Sequence, residues 1–267
     1  MDKLPNYSAG FRTIRDAVSP EEWGARVELA ACYRLIDVYG MTDLTYNHVT
    51  VRVPGPEHHL LINLYGLLYK EITASSLAKI DLDGNVIWKP ATDYYVNRAG
   101  YVIHGAIHRA RPDVRCVIHT HTRAGMAVAA MQCGLLPLSQ TAIRFAGHIG
   151  YHDYEGPAID LAEQARLVHD LGGHNALILR SHGLLTCGPS IPEAFNTMYQ
   201  LELACRVQVD AMAARTELLS PSRDVLEKTA HLYQPGVRRP YGILEWPAML
   251  RQLDAEQKNS PYPPYGS

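Results

Sequence analysis

His119 and His121, separated by Thr120, close an apolar run in the stretch VRCVIHTHTRAGM, Val114 to Met126. Residues i and i+2 of a strand project to the same side. Two imidazoles so spaced, at the end of a short buried strand, can grip one metal ion. A third histidine has a similar setting: the run Leu177-Ile178-Leu179-Arg180-Ser181 leads into His182, and Gly183 follows. Three neutral imidazoles suit Zn, Fe, Mn, Co or Ni, and a catalytic site keeps coordination positions open to water or substrate. The same spacing also arises where one histidine is buried and the next exposed, and a histidine before glycine is common in turns. Spacing alone leaves a metal site and structural roles both open.

Two further positions have donor atoms at suggestive spacing. His104 and His108 lie four apart and share a helix face, but Gly105 follows His104 where a zincin-type pair has a glutamate. Packing beside a pocket or a subunit contact is the expected role for that pair. Asn47 precedes an alternating run and reads, from its position alone, as a turn-forming residue.

The elements that must hold these residues follow from pattern and punctuation. Ser19-Pro20-Glu21-Glu22 starts a helix, with Ser as cap, Pro in the first turn and acids at the positive end. Leu29, Cys32, Leu35 and Ile36 give it helical spacing, and Gly40 stops it. His48 to Val53 and Leu60 to Ile62 read as strands, and Ile80 to Ile87 as a hairpin around Asp83-Gly84-Asn85. Helices are expected from Asn97 to Arg109, Arg123 to Met131 and Asp160 to Leu171. Strands are expected at Ala176 to Leu179 and Leu184 to Cys187, and a long helix from Ile191 to about Arg215. Prolines interrupt the remainder, which holds one more short helix from Trp246 to Leu253 and a Pro/Tyr-rich end. The organisation is an arm over 1–19, a main domain over 20–219 and a C-terminal extension over 220–267.

Composition narrows the class. A chain of 267 residues with 47% hydrophobic content can bury a large core, and a net charge of −2 gives no reason to expect nucleic acid or an anionic membrane. Five cysteines, widely spaced and odd in number, point to free thiols in a reducing compartment. Without a signal sequence or an apolar run long enough to span a bilayer, a cytoplasmic location is expected.

Long ordered motifs then carry a resemblance. HTHTRAGMAVAAMQCGLLPLSQ, GYHDYEG, ALILRSHGLLTCGPSIPEAF, LTYNHVTVRVPG and NRAGYVIHGAIHRARPDVRCVIHTHT together resemble the class II aldolase/adducin family over about residues 25 to 215, closest to its adducin-head branch. The resemblance implies an α/β fold, a three-layer α/β/α arrangement with a mostly antiparallel central sheet. It also implies one divalent metal ion (Zn, Mn, Co or Fe(II)) per subunit on His119, His121 and His182. A small-molecule substrate and a homotetramer with the pocket between neighbouring subunits come with it. Substrate contacts are expected from Asn47, Tyr46, Tyr101, Gln140 and Arg144, with Arg180 a weaker candidate than Arg144 for pairing with a substrate carboxylate.

Three features of the sugar-phosphate aldolases are absent. The carboxylate that moves the proton falls at about Gly100, and no acid occurs between Val96 and Arg111. Tyr46 and Asn97-Arg98 stand where small phosphate-binding residues would. The tyrosine after the central proline is missing in Pro137-Leu138-Ser139-Gln140-Thr141. No proton-transfer residue is identified, although Glu71 and Glu155 are acids that other segments supply. The expected activity is a metal-dependent lyase that cleaves a carbon–carbon bond, by decarboxylation or retro-aldol reaction, of an oxygenated carboxylic acid, aromatic acids included. Tyr46, Tyr65, Tyr69 and Tyr101 are candidates for an aromatic-lined pocket. A mononuclear non-haem iron(II) oxygenase and a non-catalytic adducin-like binding module are the alternatives.

Overall fold

The structure is a computed structural model that describes residues 7, 10–156 and 162–267. Within the expected N-terminal arm, Arg15–Ala17 form a 3-10 turn, and the rest of that arm lies in part outside the described residues. Helix α1 (Pro20–Val38) starts as its capping sequence requires: the Ser19 hydroxyl accepts from the Glu22 amide at 3.1 Å. It ends at Tyr39, and Gly40 takes the left-handed conformation (φ +66°) that lets the chain leave the helix.

Four strands follow, β1 (His48–Arg52), β2 (Leu60–Ile62), β3 (Ala78–Ile80) and β4 (Val86–Trp88). After them come α2 (Arg98–Ala110), β5 (Cys116–Thr120), α3 (Arg123–Ala129), α4 (Gln140–Ile143), β6 (Gly150–His152) and α5 (Glu163–Leu171). The chain closes with β7 (Ala176–Leu179), β8 (Gly183–Gly188), α6 (Ile191–Ala213), α7 (Arg223–His231) and α8 (Trp246–Gln257). The first residues expected of the helix beginning at Asp160 lie outside the described residues. The strand at β6 and the helix at α7 were not anticipated from sequence.

All eight strands join one sheet in the order β4-β3-β2-β1-β5-β8-β7-β6, antiparallel except for the β6–β7 pair. The period-2 alternation of the central strands sorts the core into two halves. Cys116, Ile118, Ile178 and Leu184 pack with Leu29, Val128, Phe195 and Leu253 from α1, α3, α6 and α8. Val117, Leu177, Leu179 and Leu185 pack with Ile103, Ile107, Leu167 and Leu171 from α2 and α5. Helices therefore cover both faces, and the chain is a three-layer α/β/α structure with a mostly antiparallel sheet. Among the described residues no helix is long and apolar enough to cross a membrane. The five cysteines are unpaired, and only Cys133 is exposed.

The Pro/Tyr-rich end is pinned down. Arg34 donates to the Pro263 carbonyl (2.9 Å), and the amides of Ala74 and Ser75 donate to the carbonyls of Tyr265 and Ser267 (2.8 and 3.0 Å).

Candidate metal centre

The central strands deliver the three histidines to one point. β5 lies between β1 and β8, and its last residues carry His119, buried, with His121 one step beyond the strand. Thr122 immediately caps α3, its hydroxyl accepting from the Gly125 amide (3.1 Å) while it bonds the buried carboxylate of Glu202. The chain is thus fixed on both sides of His121. His182 sits in the β7–β8 hairpin. Ser181 there has φ +53°, its amide donates to the Ala129 carbonyl (3.2 Å), and the His182 amide donates to the Leu179 carbonyl (3.1 Å).

The rings converge. Centroid separations are 4.7 Å for His119–His121, 4.7 Å for His119–His182 and 4.9 Å for His121–His182. One nitrogen from each lies within 4.8 Å of the others. The outer nitrogens of two rings are engaged: His119 Nδ1 lies 2.9 Å from the Leu184 carbonyl, and His121 Nδ1 lies 3.1 Å from Asp43 Oδ2. Both partners only accept, so each Nδ1 carries the proton and each Nε2 keeps a lone pair. Those two Nε2 atoms face one another at 2.9 Å. Two lone pairs at that distance repel unless a cation sits between them. Burial holds His119 well below the ordinary imidazole range and lowers His182 to about 4, with the neighbouring histidines adding to the effect. Neutral rings of this kind are the form a metal ion needs.

Asp43, His48 and Tyr154 join the site without having been picked out from sequence. Asp43 sits in a tight turn in which Leu44 has φ +47° and Asn47 φ +74°. His48 opens β1 in register with His119, so both side chains stand on the same face of the sheet, with ring centroids 5.5 Å apart. A polar residue at the start of an otherwise apolar strand was the only sequence signal for His48. Tyr154, 56% exposed, has its ring 6.3 Å from that of His182.

The expected substrate residues divide into two groups. Asn47 is buried against the centre: with its amide oxygen turned toward His121 it accepts from that residue's backbone amide (3.1 Å) and Nδ1 (3.2 Å). Tyr46 beside it is 46% exposed and forms an aromatic row with Tyr65 (6.0 Å) and, through Tyr65, Tyr95 (5.5 Å). Tyr101 instead lies against Gly84 in the β3–β4 turn. The Gln140 amide donates to the Tyr233 hydroxyl (3.0 Å), and Arg144 lines a separate cavity that none of the three histidines reaches. Among the described residues, no hydrogen bond or ring contact joins Tyr101, Gln140 or Arg144 to the histidine cluster.

Other side chains have structural employment. Arg180 donates to the Met131 carbonyl (2.7 Å) and stacks on Tyr151. Tyr69 is fully buried edge-on to Tyr33. Glu71 accepts from the Leu68 amide (2.8 Å), and Glu155 pairs with Arg166. His104 Nδ1 and His108 Nε2 flank the Thr50 hydroxyl at 2.8 and 2.9 Å, buried behind the site as a packed pair.

Comparison with known proteins agrees with the fold. The chain matches the Class II Aldolase and Adducin N-terminal domain family over residues 27–209, and it belongs to that family. It is 46% identical over 252 residues, 93% of this chain and 95% of the other, to a Pseudomonas aeruginosa protein provisionally named as a class 2 aldolase. It is 41% identical to rat alpha-adducin over 254 residues, 89% of this chain but 34% of that longer protein. The solved structure of L-fuculose 1-phosphate aldolase from Glaciozyma antarctica superposes with a TM-score of 0.80 at 26% identity, over 95% of this chain and 96% of the other.

Proposed function

We propose that the protein is a metal-dependent carbon–carbon lyase that decarboxylates, or cleaves by a retro-aldol reaction, an oxygenated carboxylic acid, aromatic acids included. One divalent ion (Zn, Mn, Co or Fe(II)) per subunit would be held by His119, His121 and His182. The observation that carries the reading is the pair of Nε2 lone pairs facing one another at 2.9 Å, with the third ring closing the group. When bound, such an ion supplies Lewis acidity to a substrate carbonyl and so weakens the neighbouring carbon–carbon bond.

The chain's own residues do the rest. Asp43 and the Leu184 carbonyl hold two rings in the tautomer that turns Nε2 inward. Asn47 fixes the backbone of His121. The edge formed by Tyr46 and Tyr65, and Tyr154 beside His182, offer flat apolar surface to an aromatic substituent. His48 stands where the aldolases' carboxylate would project, and its buried Nε2 has no hydrogen-bond partner among the described residues. The class 2 aldolase-type relative, matched over 95% of its length where alpha-adducin is matched over 34%, supports lyase chemistry over binding alone. A homotetramer is part of the proposal, and light scattering that returns a monomer at working concentration would remove it.

A second reading, an iron(II) oxygenase, is favoured by one feature: three neutral ligands with no carboxylate at Gly100. Elemental mass spectrometry of anaerobically purified protein, with a His121→Ala control, tests both. Zinc, manganese or cobalt near one per chain, lost in the control, supports the lyase. Iron at that level, with substrate-dependent dioxygen uptake, supports the oxygenase. No metal in either protein removes both readings and leaves an adducin-like binding module.

A further inference from the structure

A cavity of about 330 Å³ lies at the far end of β8 from the histidines. The cluster abuts Gly183, whose Cβ, were there one, would stand 3.1 Å from the His121 ring and 3.4 Å from that of His119. The cavity is walled by Gly188, the last residue of the same strand. Five residues of strand rise set the two places roughly 16 Å apart. Its walls come from the segment after α4, the α5–β7 turn, the start of α6 and the segment after α7.

Arg144 is the chemical centre of this cavity. Its guanidinium carbon lies 5.0 Å from the ring centroid of Tyr233, 5.4 Å from Tyr241 and 5.5 Å from Phe145. Its one hydrogen bond among the described residues, to Asn196 Oδ1, is long at 3.4 Å. No carboxylate among the described residues forms an ion pair with it, whereas Arg26, Arg166 and Arg206 each have an acid partner. Burial depresses its basicity, offset only in part by Tyr233, Tyr241 and the Glu245 carboxylate that Arg239 already pairs with.

Arg238 adds positive charge to the wall. His148 and His174, whose rings are 6.4 Å apart, line the cavity as further hydrogen-bonding groups. Arg239 also lines it, but its charge is taken up by Glu245. The acid in the wall, Glu193, is engaged in capping α6, its carboxylate accepting from the Ser190 hydroxyl at 2.6 Å. A planar guanidinium held between aromatic faces keeps its donor fork for an oxyanion, and the volume is that of a small-molecule site.

We propose that this cavity is a second ligand site, separate from the histidine cluster, that takes a small carboxylate- or phosphate-bearing molecule with its oxyanion on Arg144 and its remaining atoms between Tyr233 and Tyr241. The proposal does not depend on which metal, or which reaction, the histidines serve.

Calorimetric titration of the whole protein with inorganic phosphate, and separately with benzoate, tests it and distinguishes the two anion types. The expected result is saturable binding of at least one probe, at one site per chain. Arg144→Met weakens it by at least about ten-fold, the loss of a charge-assisted hydrogen bond. Arg238→Ala, a wall substitution with little bearing on folding, weakens it several-fold even if the Arg144 variant proves unstable. His182→Ala leaves it unchanged. Absence of saturable binding of both probes, or full affinity in Arg238→Ala and Arg144→Met alike, overturns the proposal. Loss of binding in His182→Ala also overturns it, because the anion then belongs to the histidine site.

Discussion

Gly100 lies against the imidazole of His48: a Cβ on the glycine would stand 3.1 Å from Cγ and 3.3 Å from Nδ1 of that ring. The position that the family resemblance aligns with the sugar-phosphate aldolases' acid is therefore both empty of side chain and already filled from the neighbouring strand. Restoring the acid alone is expected to fail. Gly100→Glu overpacks a closed space, which costs about 1–3 kcal/mol. His48→Ala combined with Gly100→Glu vacates the ring and recovers much of that loss. Urea unfolding of the two variants checks the order, and a double variant less stable than Gly100→Glu would show that the ring is not the obstacle.

Asp43 is expected to matter to metal affinity without being a ligand. It accepts from His121 Nδ1 at 3.1 Å and so keeps Nε2 turned toward the cluster. Asp43→Asn removes the charge while keeping the shape, and a second partner of this type is worth about 10–100-fold in metal affinity. Competition with a chromophoric chelator measures the effect. An unchanged affinity would mean that Asn47, which also reaches His121 Nδ1, holds the ring by itself.

Much of this was legible in the chain. Ser19-Pro20 and Gly40 bracket α1 because capping and the left-handed exit are local chemistry. The apolar runs leading to His119 and His182 marked the strands, whereas the grouping of the three histidines came from the family resemblance and not from spacing. What was missed depends on partners distant in sequence. β6 is three residues long and exists through its parallel pairing with β7. α7 has one buried residue, Ala230, so its sequence has little apolar stripe to read. Asp43 reaches the cluster through two left-handed residues, Leu44 and Asn47, a geometry that composition does not announce. Arg144 was recognised as an anion-binding type, but only the fold shows it at the other end of β8 from the histidines.

The buried histidine pair on α2 predicts a pH dependence of stability. His108 is lowered to about 3 from an ordinary value of 6.5, chiefly by burial and then by the charge of Arg52. Between these values the unfolded chain binds a proton that the folded chain excludes. Stability contributed by the neutral ring is therefore complete above about pH 6.5 and is lost as the pH falls toward 3. The slope is at most about 1.4 kcal/mol per pH unit for this one group. His108→Gln is expected to flatten the decline of unfolding free energy between pH 6.5 and 4.5 by up to that amount. Parallel curves for the variant and the parent would rule out His108 as a contributor.

Gly183 is the position at which the strand pairing and the candidate metal centre depend on the same missing atom. A Cβ there would stand 2.4 Å from the Thr120 carbonyl oxygen, 3.1 Å from the His121 ring and 3.4 Å from the His119 ring. The first contact is with backbone, so it cannot be relieved by a side-chain rotation. β8 must move away from β5 just where β5 presents its two histidines, and the Leu184 carbonyl that fixes the His119 tautomer moves with it. Gly183→Ala should therefore lower stability by about 1–3 kcal/mol and, separately, reduce metal content below one ion per chain in protein that remains folded. Gly173→Ala, with no atom within 4 Å of the added carbon, is the matched control and should leave metal content alone. Full metal content in folded Gly183→Ala protein would mean that the histidines tolerate a displaced β8, and that the hairpin does not set the geometry of the cluster.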